Sequence, residues 1–169
     1  MKHFIVYDPV SGSVLRSGTC QDQDFQAQAR EGEAVIEATR DALVIAEVNL
    51  DPVRADVCAR IDAEAEAVRA KFITPGSGQV MTYLIKQTEA AAYLANPASA
   101  TPFLTAEADA TGTTVSALAS AVAANAAAWI ATGAKIEAAR RKAKMEVTSA
   151  ANIAALHAAS QVDWIAVVD

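Results

Sequence analysis

Two histidines, two cysteines, an alternating acidic run and a basic cluster are the residues whose types could support chemistry. His3 sits beside the N-terminus and His157 falls in an alanine-rich stretch. Neither has a sequence neighbour that would make it a general base or a metal ligand, so both read as structural or solvent-facing. Cys20 and Cys58 form neither a disulfide framework nor a zinc site, and read as free thiols of a chain made in a reducing cytoplasm. There is no HExxH, no paired CxxC and no acidic calcium loop. Gly76-Ser77-Gly78 lacks the spacing and the lysine of a phosphate loop and reads as a turn. Asp62, Glu64 and Glu66 alternate, which at about 100° per residue sets successive carboxylates about 200° apart on a helix. That spacing describes a solvated face, not an acid–base pair. Lys135, Arg140, Arg141, Lys142 and Lys144 would suit a grip on an acidic partner or on DNA. Glu137 and Glu146 dilute that charge and no aromatics interleave, so the cluster reads as a solvated face near a helix C-terminus. No catalytic, cofactor-binding or metal site is expected, and the chain does not read as an enzyme.

What remains for function is surface and packing. The net charge of −6 argues against a general coat for nucleic acid. Alanine makes up about a quarter of the 169 residues and aromatics only 5%. Such a composition favours helices that approach closely through small side chains, but it buries little apolar area per residue, so packing against partner chains would stabilise it. Trp129 and Trp164 stand out because Trp is enriched where proteins meet, although a Trp on a helix face is more often core. Ile136 and Tyr83 join them as interface candidates. The N-terminus lacks the long apolar core of a signal peptide. Residues 110–134 hold no charge, yet Ala, Ser and Thr dominate them, with Asn125 and Gly133 inside, so they read as a helix packed on helices and not as a membrane span.

The elements that would hold these residues fall into two parts. Lys2 to Tyr7 has strand character, Asp8 to Gly12 a turn, and 13–19 a returning strand, which makes a hairpin. Residues 22–30 predict a short helix with Phe25 and Ala29 on one face and Gly32 past its end. Residues 34–37 predict a third strand, and 43–48 a fourth strand or an extended arm. At Asp51-Pro52 the period changes: aspartate caps and proline opens a helix whose apolar row is Val53, Val57, Ile61, Ala65, Val68 and Phe72. A turn at 75–78 leads to a helix over 79–94, with Val80, Tyr83, Leu84, Gln87, Ala91 and Leu94 near one face. The short connection predicts an antiparallel helical hairpin. Pro102 opens a short helix closed by Gly112. Thr113 or Thr114 caps the longest helix, along which Val115, Val122, Trp129, Ile136 and Ala143 recur every seven residues beside Leu118, Ala119, Ala126 and Gly133. Ser149 would cap a last helix through Ile153 and Leu156, and 162–168 predicts a terminal extended segment. The fold class is α+β: a β-rich head over 1–50, then an alanine-rich antiparallel helical body over 51–169.

The opening YDPVSGSVLRSGTC, followed by QDQDFQAQAREGEAVIEA, resembles a hairpin-and-helix module of tail-fibre-associated proteins of tailed bacteriophages. IDAEAEAVRAKFITPGSGQVMTYLIKQTEAAAYLANP resembles a second phage module, as does TPFLTAEADATGTTV combined with AAAWIATGAKIEAARRKAK. Together they cover most of the chain. The chain departs after Glu37, where ATRDALVIAEVNL stands in place of a longer strand-rich linker. The resemblance implies a fibre-proximal, baseplate or tail-attached place in a virion and no catalytic residue. Its partners would be other tail or fibre proteins and copies of itself, with a trimer as the expected symmetry. An assembly chaperone absent from the finished particle is the alternative, and a hydrolase of surface polymers the least supported.

Overall fold

The structure is a computed structural model that describes residues 1–39, 49–74 and 76–169. The expected strand or arm at 43–48 and the turn residue Pro75 lie outside the described residues. The fold is α+β, a small N-terminal antiparallel sheet followed by a mostly helical body.

Strand β1 (Lys2–Tyr7) is the middle of the sheet, between β2 (Val14–Cys20) and β3 (Ala34–Ala38), and pairs antiparallel with both. Its run of four apolar residues, Phe4 to Tyr7, suits a strand covered on both faces. Ile5 and Tyr7 join Ile36 and Ala38 on one side, while Phe4 and Val6 join Val35, Phe25 and Ala29 on the other. The β1–β2 turn closes on Asp8, whose carboxylate accepts the Val10 and Ser11 N–H groups, with Gly12 at φ 71°. Gly18 faces the Phe4 ring so closely that an added Cβ would lie 3.1 Å from it.

Residues 22–30 form two 3-10 turns, Asp22–Asp24 and Gln26–Gln28, instead of the expected helix. The reason is a competing donor: the Arg16 guanidinium takes the Gln28 carbonyl at 2.5 Å and pairs with Glu33 at 2.5 Å. The Arg16 bond, with the Arg30 N–H that Glu33 also accepts, holds the Glu33 carboxyl down to about 2.

Helix α1 (Leu50–Arg69) starts two residues before Pro52, the predicted first helical residue, because the Asn49 side chain accepts the Asp51 N–H while Asp51 binds Arg54. Val53, Val57, Ile61, Ala65 and Val68 are buried as the spacing requires, but the helix ends before Phe72, which is 48% exposed. Helices α2 (Ser77–Ala95) and α3 (Pro102–Thr111) follow, with Gly112 closing α3 in the left-handed region. Thr114 Oγ1 accepts the Ala117 N–H and so caps α4 (Val115–Ser149). Ser149 ends α4 and caps nothing further. Asn152 takes that role for α5 (Ile153–Ala159), accepting the Ala155 N–H. The predicted terminal extended segment is instead helix α6 (Trp164–Val168), since the Asp163 carboxylate accepts the Ile165 and Ala166 N–H groups.

The backbone gathers into two compact units, Met1–Glu66 with Glu137–Val167, and Ala67–Ile136. The boundary at residue 50 is therefore not the boundary of a unit. In the first, the inner sheet face shares one core with Val53, Val57 and Ile61 of α1, Ala143 and Val147 of α4, and Ile153 and Leu156 of α5. In the second, Ala90 of α2, Leu104 of α3 and Ala119 of α4 meet, with Tyr93, Val115, Leu118 and Val122 around them.

Candidate functional site

The first unit carries an open groove of about 670 Å³, lined by Phe25, Ile36, Arg60, Glu64, His157, Ser160, Val162 and Trp164 among others. Strand β3, α1, the end of α5 and the turn after it meet around it. Tyr7 Oη and His157 Nδ1 lie 2.5 Å apart, with their rings edge-on. Burial pushes the Tyr7 phenol up and the His157 imidazole down, and the Arg60 guanidinium pushes His157 the same way. Both groups are therefore neutral at pH 7 and share one hydrogen bond between the hydroxyl and Nδ1, its direction set by the ring tautomer. The Trp164 indole N–H donates to Glu64 at 2.9 Å, and Glu64 also faces Arg60 at 3.8 Å. The Ser160 hydroxyl donates to the His157 carbonyl and accepts from Gln161, so it is not held as a nucleophile. These bonds tie sheet, α1 and chain terminus together. Among the described residues, no three His, Cys, Asp or Glu side chains gather to hold a metal ion.

Sequence spacing had no means of finding this pair: Tyr7 and His157 are 150 positions apart, and Glu64 and Trp164 are 100. The neutral state of His157 has a pH consequence. Its folded value lies below the ordinary 6.5, so the stability it contributes is present above that value and is lost as pH falls below it. The groups that act on it are Tyr7 and Arg60. Urea midpoints at about pH 8 and about pH 5 are expected to fall with acidification, and to fall less in His157→Gln, which keeps an acceptor for Tyr7 but cannot charge. Equal slopes in the two proteins would exclude His157 as the source.

The charged runs also take positions that their spacing did not reveal. Asp62, expected on a solvated face, accepts from Arg140 and Lys144 at 2.5 Å each, which holds its carboxyl below the ordinary range. Arg140 and Lys144 thus join α4 to α1 within the first unit, while Lys142 pairs with Glu146 along the helix. The basic cluster is partly a structural clamp.

Of the interface candidates, Ile136 is fully buried within the chain and is core. Trp129 is half-buried, its ring set against Gly133 so that an added Cβ would come within 3.3 Å. Trp164 packs partly on the first unit's core and lines the groove. Tyr83 is 46% exposed, its hydroxyl bonded to Thr74.

Tyr83 belongs to a larger feature. The row predicted to pack α2 on the chain faces outward. Inward instead lie Ala90, Tyr93, Glu89, which accepts from the Phe103 and Leu104 N–H groups, and Lys86, which pairs with Glu107. The cause is Glu89: its two bonds to the α3 terminus turn that side of α2 inward. Val80, Met81, Tyr83, Leu84, Ile85 and Leu94 are left between 37% and 62% exposed. A groove of about 380 Å³ runs beside Met81, Leu84 and Ile85. The chain matches no family model, no curated protein and no solved structure. Among the described residues, α4 is the one helix long and apolar enough to cross a membrane, and few residues of its apolar stretch are buried.

Proposed function

We propose that this chain is a non-enzymatic structural component of a phage tail, fibre-proximal, baseplate or tail-attached, acting through protein–protein interfaces. The exposed apolar row of α2 carries the reading. Large contiguous apolar patches left in water mark interaction sites, and each Å² withdrawn from water stabilises the complex by about 25 cal/mol. Only Lys86 and Glu89 are charged within α2, and both are engaged with α3. The outward side therefore presents no formal charge that a partner would have to strip of water. The phage context comes from the resemblance of the opening hairpin and the two later modules. Partners are neighbouring tail or fibre proteins and further copies of the chain about a symmetry axis. The small side chains of α4 suit close helix packing better than a lipid core, where large apolar groups are preferred.

Mass spectrometry of particles released by cells carrying the gene tests the reading. The chain is expected at stoichiometric level in purified particles. Its presence in the lysate but not in particles would support an assembly chaperone instead. Sedimentation with membranes, resistant to alkaline carbonate, would assign α4 to a bilayer.

A further inference from the structure

We infer that the exposed row of α2 pairs with the same row of a second copy, antiparallel, about a two-fold axis at Gln87. The inference rests on the interface reading above and names the partner. Val80, Leu84, Gln87, Ala91 and Leu94 recur at spacings of four and three, the 3.5-residue period of a seam that meets another helix. Positions flanking such a seam usually carry charges that select a partner. Here they are Met81, Tyr83 and Thr88 on the outside, none of them charged.

Size order selects the direction. Antiparallel pairing about Gln87 sets Val80 level with Leu94 of the copy and Leu84 level with Ala90, one residue from Ala91, so that large meets small at the inner positions. It also sets the two Gln87 amides together, where each can donate to the other. A parallel pair would place Ala91 on Ala91 and leave a void, which close packing disfavours. Antiparallel helices also oppose their dipoles favourably.

Charge selects this unit over the other. Residues 67–136 hold four cations and three anions of the chain's 14 and 20, a net charge of +1; the remaining residues hold 10 and 17, a net charge of −7. Two copies meeting through the acidic unit would repel, and through the near-neutral one they do not. The six large side chains expose on the order of 500 Å² per copy, so a pair buries about 1,000 Å², the lower bound of a specific interface. The dimer is accordingly weak and concentration-dependent.

Sedimentation velocity on the full chain, from about 5 to about 300 µM, is expected to pass from monomer to dimer. Leu84→Glu stays monomeric throughout with an unchanged far-ultraviolet circular dichroism spectrum, since Leu84 is 55% exposed. Under oxidation, Gln87→Cys yields a linked dimer beyond any given by Cys20 and Cys58 in the parent chain. Val80→Cys does not, because seven residues from the axis on each side set the two copies of residue 80 about 21 Å apart. A monomer at all concentrations, a trimer, a dimer that survives Leu84→Glu, or linkage through Val80→Cys would each overturn the pairing. A monomer that is still present in particles sinks the pairing alone, and a dimer absent from them sinks the tail assignment alone.

Discussion

Ile61→Ala is expected to lower the stability of the first unit by about 3–4 kcal/mol, whereas Leu84→Ala changes stability by less than about 0.5 kcal/mol. Both substitutions remove three carbons from a helix, so the contrast isolates position. Ile61 is fully buried, in one cluster with Ile5 and Ile36 of the sheet, Val57 of α1, Val147 of α4 and Leu156 of α5. Removing its outer atoms forfeits transfer free energy of about 0.8 kcal/mol per carbon and leaves a cavity bounded by three helices and a sheet, which relax only in part. Leu84 faces water, and its loss empties nothing within the chain. Urea denaturation followed by circular dichroism, at a concentration below the dimer range, measures both. Two compact units can unfold in separate transitions, and only the transition of the unit holding Ile61 should move. A loss below about 1 kcal/mol for Ile61→Ala would mean that sheet and helices do not share a packed core.

Glu89→Ala is expected to destabilise the second unit by about 2–4 kcal/mol, and Glu89→Gln by roughly 1 kcal/mol. The first residue of α3, Pro102, has no N–H, and the Thr105 N–H reaches the Thr101 carbonyl. The helix terminus is thus left with the Phe103 and Leu104 donors. Glu89 accepts one on each carboxylate oxygen, at 3.1 and 2.9 Å, and its negative charge lies at the positive end of α3. Glu89 is 7% exposed and Leu104 is fully buried, so alanine would leave the Leu104 donor out of reach of water. Glutamine keeps one acceptor and loses the charge. Amide exchange at Phe103 and Leu104 should accelerate in Glu89→Ala more than at the core amides of α1. Unchanged exchange there would show that α3 holds its terminus without Glu89.

Much of the fold was legible from residue order. The β-forming residues Phe4 to Tyr7 implied strand β1, and Asp8 with Gly12 implied its turn. Val53 to Val68 marked the buried side of α1, and Pro102, Gly112 and Thr114 marked helix ends. In each case the information lies within a few residues, as do the dihedral and hydrogen-bond preferences that use it. Misreadings arose where one polar side chain overrode the pattern, distant in one case and adjacent in the other. Arg16 took the Gln28 carbonyl and limited residues 22–30 to 3-10 turns, and the Asp163 side chain wound a terminal segment that resembled a strand.

Residue order by itself therefore determined the strands, most of the helices and the rows of apolar residues along them, because period and capping are local. Which side of a row turns inward was decided only by the tertiary structure. The apolar row of α2 faces solvent because the carboxylate of Glu89 completes another helix, and helical period cannot say where that terminus lies. The same holds for Tyr7 with His157 and Asp62 with Arg140 and Lys144, whose partners meet only after the chain has closed on itself.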